Sequence, residues 1–219
     1  MKNVLYLFGP TLTIYLGLSF FESIPITFLL FYGWLFFIPL TSYIKYFRRK
    51  ESFLQSFRQG FRLSPILSGL LSGIICLMSI FGAIILFEGQ LFEVDHISVV
   101  LNEWGFSGTK VWGFIFVLIF INPFLEEWYW REFMHVRLHA LISAPMAVIV
   151  TSFFYSLYHL LVLIPLFALP FSLIATIPVF IAGLLWGYFR VFFTSITPTV
   201  ISHTLADLGI VLSYLYFFM

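Results

Sequence analysis

Glu126 and Glu127, with Arg131 one helical turn on, then His159, and then His203 with Asp207 one turn on, interrupt stretches that are otherwise apolar. Carboxylates and imidazoles are the groups that move protons near neutral pH, activate water, or hold a divalent metal. In hydrocarbon an ionisable side chain is costly unless it is paired or faces water, so several of them in one chain point to a shared polar site. On a helix Glu127 and Arg131 lie four apart with the acid nearer the amino terminus, the better orientation for such a pair. Glu127 is then partnered, and Glu126, turned about 100° away, is left as the general-base candidate.

Each segment taken singly has a plainer reading. The glutamates, followed by Trp128, Tyr129 and Trp130, fit headgroup-level anchors in an aromatic belt. His159, in a span that also carries Tyr155 and Tyr158, fits a packed histidine, and His203 with Asp207 fits a pair that joins two helices. All three must hold together to dismiss a common site, and that is the less economical account. Two chemistries fit such a site. In one, Glu126, steered by a histidine, activates a water against a peptide carbonyl while side chains near His203 stabilise the oxyanion. In the other, Glu126, His159, His203 and Asp207 are ligand candidates for a divalent ion such as zinc, although no HExxH-type spacing occurs.

The elements that position these residues are membrane spans. Of 219 residues 61% are hydrophobic and 10% charged, with a mean hydropathy of +1.04, against about 25% charged in soluble domains. Continuous apolar runs of about 20 residues argue for helices rather than a barrel. Seven spans are expected: Val4–Phe21, Ile24–Ile44, Pro65–Phe87, Val111 to about Trp130, Pro145–Ile164, Leu169–Phe189 and Pro198–Phe218. The expected fold is therefore all-α, a polytopic membrane helix bundle forming a single integral membrane domain over residues 1–219. The first run follows Lys2 but lacks a small-residue cleavage pattern and reads as a retained helix. Cys76, the one cysteine, allows neither an internal disulfide nor a cysteine metal cluster.

Six of the eleven Lys and Arg residues, Lys45, Arg48, Arg49, Lys50, Arg58 and Arg62, fall between the second and third spans. This places that linker, and with it the amino terminus, in the cytoplasm. Within it Lys50, Phe53, Leu54, Phe57 and Phe61 recur at helical spacing, as in a basic amphipathic helix lying in the inner interface, though an ordinary topology-setting segment also fits. The loop Glu88 to Lys110 is expected outside, and His135 and His139 as solvated residues at the inner end of the fourth span. A net charge of +1 excludes bulk attraction to nucleic acid. The small size leans toward a bacterial plasma membrane. Helical rise sets Glu126 and His203 nearer the inner leaflet than His159, unless the fifth helix starts late, tilts steeply or comes after a dipping segment.

Glu126-Glu127-x-x-x-Arg131, an aromatic residue four before His159, and His203-x-x-x-Asp207 resemble, in order and membrane setting, the three motifs of the CPBP intramembrane proteases. That family includes the CAAX prenyl endopeptidases and bacteriocin-processing and immunity proteins, and the motif-bearing region runs from about 111 to 210. The resemblance implies an endopeptidase in which Glu126 is the catalytic glutamate, Glu127 and Arg131 its structural neighbours, His159 the water-orienting histidine, and His203 with Asp207 the oxyanion side. It implies no obligatory cofactor, the family being described as glutamate-dependent after long being called metalloproteases. Its expected partners are the bilayer and a membrane-anchored protein or peptide substrate.

The chain differs from the family's usual pattern at Tyr155, where Phe is usual, at Glu132, where Gly is usual, and at Asp207, where Asn is frequent. The last change replaces a donor with an acceptor, so Asp207 must be protonated, orient His203, or bind metal. Alternatives from other classes are a proteolytically inactive binding or immunity protein on the same scaffold, and a small transporter using the buried acids as a relay.

Overall fold

The computed structural model describes residues 2–46, 62–193 and 195–219. The amphipathic segment expected in the basic linker lies outside the described residues, Arg62 excepted. Among the described residues the protein is all-helical, with eight helices and no strand. They are α1 (Lys2–Phe20), α2 (Ile24–Tyr46), α3 (Leu63–Phe87), α4 (Val94–Glu103), α5 (Gly108–His139), α6 (Ala144–Leu166), α7 (Phe171–Phe193) and α8 (Thr197–Phe218). All but α4 are long and apolar enough to cross a membrane, which is the architecture of a multi-pass integral membrane protein.

The expected spans correspond one to one with these seven helices, because a run of that length must satisfy its backbone polar groups internally. The fourth helix runs on past Trp130 to His139, as the placement of His135 and His139 at its end anticipates, with Phe133, Met134 and Leu138 buried. One difference has a local cause: the segment Glu88 to Lys110, expected as a loop, holds α4, whose Val94, Ile97, Val100 and Leu101 turn inward at helical spacing while Asp95, His96 and Glu103 stay exposed.

The central helix is α5. From Asn122 to Leu138 only Phe124 and Val136 are exposed, so the helix is surrounded on nearly every side. It is not uniform: π-helical turns at Val117–Ile121 and Trp128–Met134 flank the α-helical piece Asn122–Glu127. Pro123 contributes no backbone donor, which loosens the ladder ahead of it. Each π turn inserts an extra residue and shifts the helical phase of the residues after it, and the two together set the directions of Asn122, Glu126, Glu127 and Arg131.

Small residues let the other helices close around it. A Cβ on Gly183 or Gly187 of α7 would fall 3.1 Å from Ser152 or 2.7 Å from Val148 of α6. Between α3 and α8, a Cβ on Gly69 would meet the Pro198 carbonyl at 2.8 Å, and one on Gly73 would meet Leu205 at 2.6 Å. This is the small-residue packing by which helices associate in lipid. The packed core consists of Leu35, Tyr129, Trp130, Met134, Tyr155, Tyr158 and Trp186, and the polar cluster sits within it.

Candidate active site

Glu127 anchors the cluster and is fully buried. Its Oε2 lies 3.1 Å from Arg131 Nε on the next turn, as the four-residue spacing predicts. The two groups are side by side rather than in hydrogen-bond alignment. The guanidinium donates instead to the Gly183 carbonyl of α7 at 3.3 Å and lies over the ring of Tyr155 at 4.7 Å. Arg131 is 1% exposed, so the charge is held by a carboxylate, a carbonyl and aromatic faces, without water.

The other oxygen of Glu127 makes the decisive cross-helix contact. His203 Nδ1 is 3.0 Å from Glu127 Oε1. A carboxylate is an acceptor, so Nδ1 carries the proton and donates. This fixes the imidazole and aims Nε2 at a second set of groups: Tyr155 Oη at 3.4 Å, Asp207 Oδ1 at 3.6 Å and Glu126 Oε2 at 3.8 Å. Trp186 of α7 stacks on the imidazole, with centroids 4.2 Å apart and planes 18° apart. Its indole N–H donates to Ser202 Oγ at 3.0 Å, which holds the stacking ring.

Glu126 is turned about 100° from Glu127 on the helix and approaches the other nitrogen of His203. It is 2% exposed, and its Oε2 has no hydrogen-bond partner among the described residues. The Tyr158 hydroxyl lies against it and also interacts with the Trp130 indole N–H. A buried carboxylate oxygen beside a histidine and a tyrosine hydroxyl is suited to holding a polar reactant.

Asp207 is oriented from below. Its Oδ2 accepts from Asn122 Nδ2 at 3.1 Å, and Asn122 Oδ1 accepts from the Tyr32 hydroxyl at 3.2 Å. His159 stands beside the cluster: its Nδ1 donates to the Tyr155 carbonyl at 2.9 Å, leaving Nε2 as the acceptor. Its ring is 4.6 Å from that of Tyr155 and 4.4 Å from that of Tyr158, and it makes no ion pair with Glu126. The helix α6 begins at Ala144, close to the expected start. The two tyrosines, not a late start, link His159 to the groups around Glu126.

Glu126, Glu127, Arg131, Tyr155, His203 and Asp207 are thus brought together, with His159 one aromatic ring away. Sequence reasoning passes over Asn122, Tyr32, Tyr158 and Trp186. Asn122 carried a signal, being a lone amide one turn before Glu126 on the same helix face; nothing in spacing marks Trp186. His135, expected to be solvated, is buried at 4% exposure, with its ring 6.0 Å from that of His139. Glu132 pairs with Arg190 at 3.0 Å and accepts from the Tyr43 hydroxyl at 3.3 Å, tying α5 to α7 and α2. The extra hydroxyl of Tyr155 meets His203.

As metal ligands these residues fit poorly. Among the described residues no group of three or more His, Cys, Asp or Glu side chains has an arrangement that could hold a metal ion. His203 Nδ1 is committed to Glu127 and His159 Nδ1 to a backbone carbonyl.

A family model described as type II CAAX prenyl endopeptidase, Rce1-like, matches residues 108–216. No curated protein and no solved structure matches the chain. The matched stretch covers α5 to α8 and every member of the polar cluster except Tyr32.

Proposed function

Since residues 108–216 form a domain of the Rce1-like type II CAAX prenyl endopeptidase family, a family of membrane proteases, we propose that this protein is an intramembrane endopeptidase. It hydrolyses a peptide bond in a membrane-associated or lipid-anchored protein or peptide. The observation that carries the reading is the buried Glu126 carboxylate, whose Oε2 lacks a partner while facing His203.

In the proposed step Glu126 takes a proton from a water as its oxygen attacks the scissile carbonyl carbon. His159, with Nε2 left as an acceptor by the bond at Nδ1, orients that water. His203 acts as the imidazolium, with Nδ1–H given to Glu127, so the carbonyl oxygen becomes an oxyanion that accepts from His203 Nε2–H and the Tyr155 hydroxyl. When the carbon–nitrogen bond breaks, Glu126 returns its proton to the leaving amine. Asp207 and Glu127 act by holding His203, and Arg131 balances Glu127. The proposed route uses no metal. The proposed orientation puts the amino terminus in the cytoplasm, on the strength of the basic linker.

The test is cleavage of membrane-anchored peptides by purified protein in liposomes, with terminal-fragment mass spectrometry to identify the cut. Glu126→Gln and His159→Ala each lower the rate by about 10²–10⁴-fold while insertion and thermal unfolding stay near wild type. Cleavage persists in a strong chelator. Full activity in Glu126→Gln overturns the reading. Equal partner binding by wild type and Glu126→Gln, with cleavage by neither, assigns the scaffold to the binding class instead.

A further inference from the structure

One buried polar chain ends on Asp207 and begins with two residues, Tyr32 and Asn122, that have no part in the hydrolytic step: the Tyr32 hydroxyl donates to Asn122 Oδ1 at 3.2 Å, and Asn122 Nδ2 donates to Asp207 Oδ2 at 3.1 Å. It links three helices, α2, α5 and α8, at the depth of the reacting groups. We propose that Asn122, held by Tyr32, is a positioning residue of the hydrolytic site. Its amide fixes the Asp207 carboxylate so that the second oxygen faces His203 Nε2 and sets the direction in which that nitrogen donates. The inference rests on the hydrolytic reading and adds residues to it.

The chemistry of an amide makes the arrangement directional. An ionised Asp207 offers acceptors only, so the NH₂ end of Asn122 must face it, and the carbonyl end must face a donor. The Tyr32 hydroxyl is that donor. Reversing the amide would oppose two acceptors at Asp207, a penalty in a site where Asn122 is 6% and Asp207 5% exposed. Asn122 stands at the first position of the α-helical piece, between the π turn Val117–Ile121 and Pro123.

This placement also answers the difficulty of a carboxylate beside an oxyanion. One Asp207 oxygen is capped by Asn122, and the other lies 3.6 Å from His203 Nε2. The donor offered to the substrate is then the His203 imidazolium at Nε2, whose positive charge lies beside the Asp207 carboxylate, while Glu127 holds the ring from Nδ1. Asn122 and Glu126 share a face of α5 one turn apart, so a single helix carries both the base and the group that steers its counterpart on α8.

The experiment is a reciprocal exchange, read as kcat and KM separately with thermal unfolding in detergent alongside. Asn122→Asp sets two acceptors against each other and lowers kcat about 100-fold, the scale of a misplaced reacting group, with KM within about threefold. The exchanged pair, Asn122→Asp with Asp207→Asn, restores a donor facing an acceptor and recovers kcat to within about tenfold of wild type. Tyr32→Phe lowers kcat by about threefold to tenfold without changing KM, because the amide loses its orienting donor. Should Asn122→Asp fail to fold, Asn122→Ala carries the test, with kcat about tenfold down at a near-native unfolding temperature.

Wild-type kcat in a folded Asn122→Ala or Asn122→Asp protein, with Glu126→Gln inactive, overturns this inference alone. An exchanged pair that folds but stays as slow as Asn122→Asp overturns it too, since Asn122 would then not act through Asp207. Absence of cleavage by the wild type removes the hydrolytic reading and this inference together.

Discussion

The two buried sides of α8 are held to their neighbours by opposite means. Toward α5 and α7 the helix presents His203 and Asp207, each in contact with a named charged or amide group at 3.0 to 3.8 Å. Toward α3 the contact is made by small residues: Gly69 and Gly73 accept Pro198, Ser202 and Leu205, and Gly209 lies against Leu77, leaving no room for a methyl group. Of the α3 span only Pro65, Gly69 and Gly73 are fully buried. In lipid the apolar seam gains from dispersion and close approach, which constrain distance but hardly direction. The polar side constrains direction, since an imidazole rotated by a fraction of a turn loses both partners. Chemistry therefore collects on the directional side, and the seam serves to hold the helix against it.

The sharpest way to break that contrast is to remove one member of the directional side. Arg131→Ala leaves the Glu127 carboxylate buried with His203 as its remaining partner, and a buried pair that loses one member costs about 3–5 kcal/mol. Unfolding temperature in detergent should fall markedly and cleavage should be lost with it. Little change in either would show that the network is less directional than its distances imply. Arg131→Lys should recover only part of the stability, because an ammonium cannot reach Glu127 and the Gly183 carbonyl in the same fork.

Next in size comes the seam. Gly73→Leu forces a side chain into the space where even a Cβ would meet Leu205 at 2.6 Å. Overpacking of this kind costs about 1–3 kcal/mol. If the two sides of α8 are separable, the folded fraction keeps kcat within a few fold of wild type while unfolding temperature drops. A kcat loss as large as that of Glu126→Gln would show that the seam sets the catalytic geometry.

Legibility in the sequence divides along the same line. The spans are legible because hydrophobic runs encode them, and the Glu127–Arg131 pair is legible because both members ride on one helix at a fixed spacing. The bond from His203 to Glu127 is not legible: it depends on how α8 is rotated and how closely it approaches α5. Those quantities are set by the π turns in α5 and the glycines of α3 and α7. The sequence pairs His203 with Asp207, its neighbour on the helix, whereas the closest carboxylate oxygen comes from another helix. The short helix α4 has few enough inward residues for them to be lost in an acidic loop. Tyr32 and Trp186 lie far along the chain from the residues they touch, and periodicity within a span says nothing of partners across the bundle.

The smallest expected effect tests a polar link between the two sides. The Ser72 hydroxyl on α3 is 3.0 Å from that of Ser202 on α8, which also accepts from the Trp186 indole N–H at 3.0 Å. Trp186 in turn stacks on His203. Ser72 also reaches back to the Ser68 carbonyl at 2.7 Å and the Gly69 carbonyl at 3.2 Å, so the inter-helix bond is one of three available to it. Hydrogen bonds between membrane helices average about 0.6 kcal/mol, and Ser72→Ala should lower stability by about that amount. Ser202 keeps its bond to Trp186, so the ring over His203 stays in place and kcat should hold within about twofold, a shift of the size expected from a surface-like change. A several-fold fall in kcat at unchanged KM would mean that Ser72 holds Trp186 through Ser202. The glycine seam would then supply direction as well as distance, and the separation between the two sides of α8 would fail at that one hydroxyl.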